Sequence, residues 1–520
     1  MKLQAGLTAP SPGWELFLNQ EKPAFIHLEP GPWKRTETPV IIVTGNVPGL
    51  AAQAERFVSE GGSLVTDTDS LPLLPAGLRT HPRVFKLQRS VKDSACDSTN
   101  AFKHFNSSTP HPVEEICARE PKRVLKKIIR EALTAAFAAQ GLPFVRLDYY
   151  PEGYRSVFLF RIDLDEYDPN DFSELCDLLS RYGDSMSCFP CMKTYEYRLD
   201  ELERAVHTGA EFGSHAYIHH VYQTERQNDR NLSAAETLLK KIIPEVLGFS
   251  GPHGYWHPSL QTVLEKRGYV YSSEFSLDYD NFPFYPVIAG RSSNVLQIPV
   301  HPVCEGVFLQ VYPYDEIMFR TYFERVISER VERAKPILIF GHPTRRLGRY
   351  PAIVHNLYRD LENQPSVWKI QFHQWAGWWR ERSRMTPVLE WDDKSCQIVY
   401  SPDLKQQMSA SYGDACFRIT SPAPAFSEKI FDASGNLLRL TGKKESSTDP
   451  EDDFDPGSEI QFPLIKRLKQ TLKHHLDWET KTPVEQLFVT DFPSAMKVLM
   501  RRVTDPVRRQ STDVNRGGMA

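Results

Sequence analysis

The chain has 520 residues, of which 41% are hydrophobic and 25% are charged. This length exceeds one ordinary hydrophobic core, so roughly two to four domains are expected. Lysine and arginine number 62 against 66 aspartate and glutamate residues, and the net charge is −4. A surface that follows nucleic-acid phosphates needs clustered excess positive charge, so we expect no nucleic-acid partner.

The first 31 residues carry charges and prolines throughout and lack the apolar core of a signal peptide. No later segment reaches the roughly 20 apolar residues that cross a bilayer. The eight cysteines are scattered, without the density of a disulfide framework. These features predict a cytoplasmic protein without a transmembrane segment.

The first predicted domain is a small α/β domain over residues 1–115. An apolar run at 40–45, a helix over 51–59 and a second apolar run at 63–66 form one β-α-β unit. Residues 57–62 faintly resemble a glutamine-amidotransferase-like domain. Because no cysteine precedes Cys96, the usual nucleophile is absent, and we expect a non-catalytic domain that is structural or positions the substrate.

A second domain is predicted over residues 116–384, opening with a helix over 120–140 that ends at Gly141. Short apolar runs then recur between helical or looped segments, at 157–162, 186–189, 210–213, 246–249, 269–271, 295–300 and 337–340. Helices are predicted over 172–182, 200–207, 233–243 and 314–334, the third beginning with a capping box at Ser233. This alternation predicts a parallel α/β barrel or a wound parallel sheet.

Beyond residue 384 the pattern changes to short strands separated by polar turns. Strands at 397–400, 416–420, 429–431 and 437–440 predict a β-rich module over residues 385–445. Residues 446–520 are expected to form a linker and a helical basic tail. Basic patches at 466–469 and 501–509 are compatible with peripheral contact with an anionic membrane, but a solvated helix face explains such patches more often.

Three short motifs carry the chemistry of the second domain: Asp163-Leu164-Asp165, His215 with His219, and His342. Each lies at or just past the end of an apolar run, where parallel strands bring their functional groups together. Asp163 and Asp165 share one strand face, and His215 and His219 are spaced to share one helical face. Two imidazoles and one carboxylate make a divalent-metal site, leaving a second carboxylate and a third histidine for proton transfer. A metal-dependent hydrolase is predicted.

With these motifs in place, residues 150–349 resemble a polysaccharide deacetylase of the NodB-homology class, a carbohydrate esterase type. The aspartate pair appears in spaced form at 163–165, the Ser/Thr-bracketed His-x-x-x-His motif lies in 209–219, and the apolar strand with a final histidine is 337–342. The motif that is normally Arg-x-Pro-x-Gly appears at 250–254 as Ser-Gly-Pro-His-Gly. The fold expected is α/β, a distorted parallel (β/α) barrel of about seven strands, flanked by the N-terminal α/β domain and the C-terminal β-rich module.

The resemblance also implies a role for each site residue. Asp165, His215 and His219 would hold a divalent metal ion, with zinc expected first, and Asp163 would be the base. The backbone N–H of His253, which follows Pro252, would stabilise the oxyanion, and His342 fits the role of general acid.

One position departs from the family pattern, because Ser250 stands where an arginine would pair with the catalytic aspartate. Arg161 lies two residues before Asp163 on the same strand face, and we hypothesise that it takes over this orienting role. The alternative is a protein that has lost activity or acts on a different amide.

The predicted function is removal of N-acetyl groups from an amino-sugar-containing polysaccharide or its intracellular precursor, with an N-acetylated saccharide as the partner. A catalytically degenerate carbohydrate-binding or scaffold protein with the same fold is the alternative. The two differ in metal content and in release of acetate.

Overall fold

The computed structural model describes residues 2–91, 101–106, 113–118, 122–274, 282–289, 291–301, 303–306, 308, 316–385, 388–391, 395–399, 408–412, 415–419, 427–432 and 444–446. The strand predicted at 437–440 and the basic tail lie outside these residues. None of the helices that are described has the length and apolarity to span a bilayer.

The N-terminal unit, residues 2–91, is a parallel sheet with helices at Pro12–Glu21 and Leu50–Ser59. Its strands are β1 (Lys2–Leu3), β2 (Ala5–Leu7), β3 (Phe25–His27), β4 (Val40–Val43), β5 (Ser63–Thr66) and β6 (Val84–Lys86). The sheet has the order β3-β2-β4-β5-β6. Every residue of β4 and β5 is buried, as expected for central parallel strands covered on both faces.

The segments that follow β2 and β4 contact each other in this unit. Chain connections diverge between β2 and β4, which makes the carboxyl ends of these strands the usual binding position. There, the Ala9 N–H donates to Thr44 Oγ1 at 3.0 Å, and the Thr44 N–H donates to Thr8 Oγ1 at 3.0 Å. A Cβ on Gly45 would lie 3.0 Å from the Ala9 Cβ. These contacts join the two strand ends directly.

A helix and a strand connect the N-terminal unit to the rest of the chain. β7 (Ala101–Asn106) and β8 (Val113–Ala118) form an antiparallel pair, and the helix Lys122–Ala138 and β9 (Phe144–Leu147) follow. One apolar cluster contains Trp14 of the first helix, Leu125 and Phe137 of this helix, and Phe284 of the following domain. The units therefore share a core.

A buried charge cluster lies at this junction, centred on Glu21. The Glu21 carboxylate is 3.2 Å from Arg130 Nη2 and 3.6 Å from Arg146 Nε, and it accepts a hydrogen bond from the Tyr149 hydroxyl. Burial would raise the pKa of Glu21, but Arg130, Arg146 and Lys126 together hold it at about 2. The junction thus depends on an ionised carboxylate.

Replacing Glu21 with glutamine is expected to lower the free energy of unfolding at pH 7 by about 3–5 kcal/mol, because buried cations lose their counter-charge. A carboxylate with a lowered pKa stabilises the fold above its unfolded pKa of about 4.5 and loses that contribution as pH falls towards 2. Urea unfolding should therefore separate the two proteins at pH 7 and bring them together at pH 2–3. The exposed Glu29→Gln serves as the control, and an equal effect from both substitutions would contradict the assignment.

The central domain is built on two parallel sheets. Its strands are β10 (Ser156–Leu164), β11 (Met186–Pro190), β12 (Glu211–Phe212), β13 (Gly248–Ser250), β14 (Tyr271–Ser273), β15 (Val287–Ile288), β16 (Arg291–Ser292), β17 (Leu296–Gln297), β18 (Ile337–Gly341) and β19 (Val367–Lys369). One sheet has the order β12-β11-β10-β18 with β19 also paired to β10, and the other has the order β13-β14-β17.

The prediction of an α/β fold with parallel sheets is confirmed, whereas a closed seven-stranded barrel is not. The sheets meet at a single parallel bridge between Ser214 and Phe249, and the His301 N–H donates to the Leu338 carbonyl at 2.8 Å. β17 has two residues, although the apolar run at 295–300 predicted six, so the ladder on that side is short. The run at 269–271 likewise forms its strand later, at Tyr271–Ser273.

Helices cover the sheets at Pro169–Tyr182, Met192–Tyr195, Leu199–Val206, Glu225–Leu239, Pro258–Arg267, Glu316–Glu332, Ala352–Glu362 and Phe372–Arg384. The prediction of a helix start at Ser233 is wrong. The helix begins at Glu225, and Thr224 caps it by accepting a hydrogen bond from the Gln227 N–H at 3.4 Å. Its first two turns are polar and contain Asn228 and Asn231, which are weak helix formers, so hydrophobic periodicity misses them.

The last described strands are antiparallel and join earlier parts of the chain. They are β20 (Val388–Trp391), β21 (Ser395–Val399), β22 (Met408–Tyr412), β23 (Ala415–Ile419), β24 (Ser427–Asp432) and β25 (Lys444–Ser446). β20 pairs with β1, and β22 pairs with β9. The helix before them, Phe372–Arg384, buries Trp375 and Trp379 in the core.

Candidate metal centre

β10 carries both aspartates to one end of its sheet. Asp163 is the second-last residue of the strand and is buried, and Asp165 follows the strand end and is partly exposed. β11 and β18 flank β10 in parallel, so their carboxyl ends lie at the same edge. His342 follows β18 directly, which brings it to this edge as the strand-end rule predicts.

His215 and His219 lie in a loop, and the prediction that they share a helical face is wrong. The loop follows β12, and Ala216 within it has φ 64°, which a helix does not allow. Asn231 of the following helix holds the loop: its Oδ1 accepts from the Ile218 N–H at 2.7 Å, and its Nδ2 donates to the Ile218 carbonyl at 2.9 Å. Sequence reasoning missed this positioning residue because its helix start was missed.

The loop brings both imidazoles to Asp165. His215 Nε2 lies 3.1 Å and His219 Nε2 lies 3.4 Å from Asp165 Oδ1, and the three ligand atoms are within 4.8 Å of one another. His215 Nδ1 is 2.7 Å from the Ser250 carbonyl, to which it donates in the neutral ring, leaving the Nε2 lone pair directed at the carboxylate. Among the described residues, no hydrogen bond reaches the buried Asp165 Oδ1.

The charge state of these groups suits a cation. Burial lowers the pKa of His219 to about 4, so its imidazole is neutral at pH 7 and offers a lone pair. Burial opposes ionisation of Asp165, but His219 and His215 outweigh it and hold the pKa of this carboxyl well below its usual range. Two imidazole nitrogens and one carboxylate oxygen that converge in this way fit a divalent metal ion such as zinc.

Asp163 is ionised and held from two sides. Arg161 Nε donates to Asp163 Oδ1 at 2.9 Å and Arg161 Nη2 donates to Oδ2 at 2.6 Å, while Ser250 Oγ donates to Oδ1 at 3.0 Å. Burial would raise the pKa of Asp163, yet Arg161 and His215 together lower it. The contact hypothesised for Arg161 is present, and the serine that replaces the expected arginine contributes a second hydrogen bond.

Arg161 is itself fixed by neighbours. Its Nη1 donates to the Ser273 carbonyl at 2.5 Å, and its guanidinium carbon lies 5.1 Å from the centre of the Phe340 ring. Both the arginine and the aspartate are almost fully buried. A bidentate, desolvated pair of this kind holds the carboxylate in one orientation.

Replacing Arg161 with alanine is expected to lower turnover and to shift the acidic limb of the pH–rate profile to higher pH, because Asp163 loses the cation that lowers its pKa. Ser250→Ala removes a hydrogen bond to the ionised carboxylate and should cost about 1.5–3 kcal/mol, roughly 10- to 150-fold in rate. Steady-state rates against pH, with metal content measured for each variant, test both. An unchanged rate and profile in Arg161→Ala would refute the orienting role.

His342 is anchored by Glu305, a residue that sequence reasoning missed. Glu305 Oε1 is 2.9 Å from His342 Nδ1 and accepts from the His342 N–H at 2.8 Å, while His342 Nε2 lies 3.6 Å from Asp165 Oδ2. Burial alone would lower the pKa of His342. Glu305 and Asp165 raise it by more, so the pKa of His342 lies above its usual value. Arg346 Nη1 also contacts Glu305 Oε1, at 3.2 Å. Glu305 lies soon after the sixth apolar run, at 295–300, and this position is the sequence signal that could have identified it.

The turn with Pro252 and His253 lies beside the metal ligands. His253 has φ 60°, and the centre of its ring is 4.5 Å from that of His219. Behind the turn, a Cβ on Gly251 would lie 2.3 Å from the Glu274 Cγ, so only glycine fits there. Ser272 Oγ and Gln297 Nε2 donate to the Glu274 carboxylate, and burial raises the pKa of Glu274 to about 7. Glu274 was not predicted as a site residue, and its side chain packs against the turn at Gly251.

Part of the chain is similar to known proteins. A family model for polysaccharide deacetylases matches residues 161–272. Among solved structures, a putative polysaccharide deacetylase from Mycobacterium smegmatis is 15% identical, with 48% of this chain and 98% of that chain covered and a TM-score of 0.38. A probable polysaccharide deacetylase from Pseudomonas aeruginosa PAO1 is 17% identical, with 45% and 93% covered and a TM-score of 0.40.

A CE4 family pseudoenzyme from Bacillus anthracis is also similar, at 12% identity, with 44% of this chain and 66% of that chain covered and a TM-score of 0.30. Among curated proteins, none matches this sequence. The matched residues run from Arg161 to Ser272 and include the aspartate pair and both histidines of the loop. Residues 161–272 therefore match the polysaccharide deacetylase family, within a longer chain.

Proposed function

We propose that the chain is a divalent-metal-dependent hydrolase that removes N-acetyl groups from an amino-sugar-containing saccharide. The observation that carries this proposal is the convergence of Asp165, His215 and His219 on one point, with Asp163 and His342 at the same strand edge. That set provides three metal ligands, a candidate base and a candidate acid.

Asp165, His215 and His219 would hold the metal ion, with zinc expected first from two imidazoles and one carboxylate. When bound, a divalent ion supplies Lewis acidity that polarises a carbonyl oxygen and lowers the pKa of water. The Ser250 carbonyl fixes the orientation of the His215 ring, and Asn231 fixes the loop that carries both histidines.

Asp163 is proposed as the general base. Arg161 keeps it ionised and Ser250 orients it, so the carboxylate is ready to accept a proton from the attacking water. The serine in place of the family arginine is thereby compatible with turnover, which argues against the degenerate alternative.

His342 is proposed as the general acid that protonates the amide nitrogen as it leaves. Glu305 Oε1 and Arg346 Nη1 both contact His342 Nδ1, at 2.9 Å and 2.7 Å, and the opposite nitrogen Nε2 faces the metal centre. In the imidazolium form, which the raised pKa of His342 favours, Nε2 would carry the transferable proton. The backbone N–H of His253, after Pro252, is proposed to stabilise the oxyanion that forms when water adds to the acetamide carbonyl. The ring contact between His253 and His219 supports this placement.

Release of acetate from N-acetylglucosamine oligomers tests the proposal. The full chain, loaded with zinc or another divalent ion, should release acetate, and dialysis against a chelator should abolish release until metal is restored. Stoichiometric metal without acetate release from any acetylated saccharide would favour the carbohydrate-binding alternative. Absence of stoichiometric metal would refute the proposed hydrolase.

A further inference from the structure

The turn that follows His342 contains a strained arginine. Arg345 has φ 59° and ψ 12°, the left-handed region that non-glycine residues rarely adopt. Its backbone N–H donates to Asp171 Oδ2 at 2.5 Å, which fixes the conformation from the first turn of the helix Pro169–Tyr182. A Cβ on Gly348 would lie 2.5 Å from the Asp171 carbonyl oxygen, so the turn packs closely on this helix.

This turn is hydrogen-bonded to His342 and to the residue that follows Asp165. The Leu347 N–H donates to the His342 carbonyl at 3.1 Å, and Thr344 Oγ1 donates to the carbonyl of Glu166, the neighbour of Asp165, at 3.0 Å. The backbone of Arg345 is thus held between the proposed general acid and the metal-binding strand end. Strained residues persist where the surroundings fix them, and they concentrate at functional sites.

The Arg345 side chain is exposed and has no counter-charge. Within the described part of the chain, no carboxylate oxygen lies within 4.0 Å of the guanidinium of Arg345 or of the nearby exposed Arg349. The adjacent Arg346 differs, because it contacts Glu305 at 3.2 Å. A planar guanidinium with all its donors available binds phosphate or carboxylate oxygens in pairs.

We infer that Arg345 binds an anionic substituent of the substrate, next to the acetamido group that is hydrolysed. This inference rests on the proposed deacetylase function. In a 2-acetamido sugar, the nitrogen that His342 would protonate is attached to C2, so the substituents on the neighbouring carbons C1 and C3 lie next to the reacting amide. A phosphate on C1 or a carboxylate-bearing ether on C3 supplies the anionic oxygens that Arg345 can bind.

The test compares three small probes on the metal-loaded full chain: N-acetylglucosamine, N-acetylglucosamine 1-phosphate and N-acetylmuramic acid. Dissociation constants are measured by calorimetry, and acetate release is measured where it occurs. Arg345→Ala should weaken binding of at least one anionic probe about tenfold and leave the neutral sugar unchanged, and Arg345→Lys should restore part of the loss. The probe that responds identifies phosphate or carboxylate as the anion.

Arg181→Ala is the matched control, because it removes an exposed arginine from the far end of the helix that holds the turn. Arg345→Gly should raise the melting temperature, since glycine adopts the left-handed region freely. It should weaken binding of the anionic probe as much as Arg345→Ala does. Equal effects on neutral and anionic probes, or none on either anion, would overturn the inference. Binding is measured separately from acetate release. If the deacetylase proposal fails, the comparison of neutral and anionic probes therefore still tests anion binding by Arg345.

Discussion

His219→Ala is expected to remove the bound metal and reduce acetate release to background. The imidazole supplies one of three ligands, and its Nε2 lies 3.4 Å from Asp165 Oδ1. The two remaining ligands cannot hold the ion at a catalytic site that already leaves positions open for water and substrate. Metal content of the purified protein, measured by mass spectrometry, should fall from about one ion per chain to well below that value.

His219 suits this experiment because its side chain is partly exposed and its loop is held by Asn231, so the fold should survive the substitution. His207→Ala is the matched control, since His207 is exposed at the end of the helix Leu199–Val206, away from the site. Retention of a full equivalent of metal in His219→Ala would show that the ion binds elsewhere. The second cluster, Cys304 with Glu305 and His342, would then be the next position to examine.

Asp163→Asn should produce the opposite combination, with metal retained and turnover lost. Asparagine has the shape of aspartate but cannot accept the proton of the attacking water, and general base catalysis is worth about 10²–10⁴ in rate. Asp163 lies outside the group of three converging metal ligands, so metal content should match the wild type. Steady-state turnover and metal content, measured on the same preparation, distinguish a base from a ligand.

The substitution also leaves the buried Arg161 without its counter-charge, so a lower melting temperature is expected. Circular dichroism and metal content show whether the variant is folded at the assay temperature. Asp177→Asn, an exposed change on the helix Pro169–Tyr182, provides the control for a lost carboxylate. A folded, metal-loaded Asp163→Asn that turns over like the wild type would exclude Asp163 as the base.

The strand-end rule explains why so much of the site could be anticipated. Asp163 belongs to a fully buried apolar strand, and His342 follows another, so both positions are apparent in the pattern of hydrophobic residues. The parallel α/β class follows from the same alternation. These inferences depend on local sequence, which is where patterns carry most information.

The parts that could not be predicted depend on contacts between distant residues. Nothing local shows that Asn231 holds the histidine loop, or that Ser250 adds a hydrogen bond to Asp163 from 87 positions away. Glu305 meets His342 across 37 positions. Hydrophobic periodicity carries no information about such polar contacts. The spacing of His215 and His219 suggested a helix, but a loop brings the two imidazoles together equally well.

The pairing of β1 with β20 joins residues that are far apart in the sequence. Lys2 of β1 pairs with Glu390 of β20, and β9 likewise pairs with β22, which lies much later in the chain. Until the ribosome has released residues beyond 412, β1 and β9 expose unpaired edges that can associate with other chains. A shortened chain that ends after the helix Phe372–Arg384 would keep every candidate catalytic residue and still lack two edge partners. Solubility, rather than loss of chemistry, would therefore limit such a fragment.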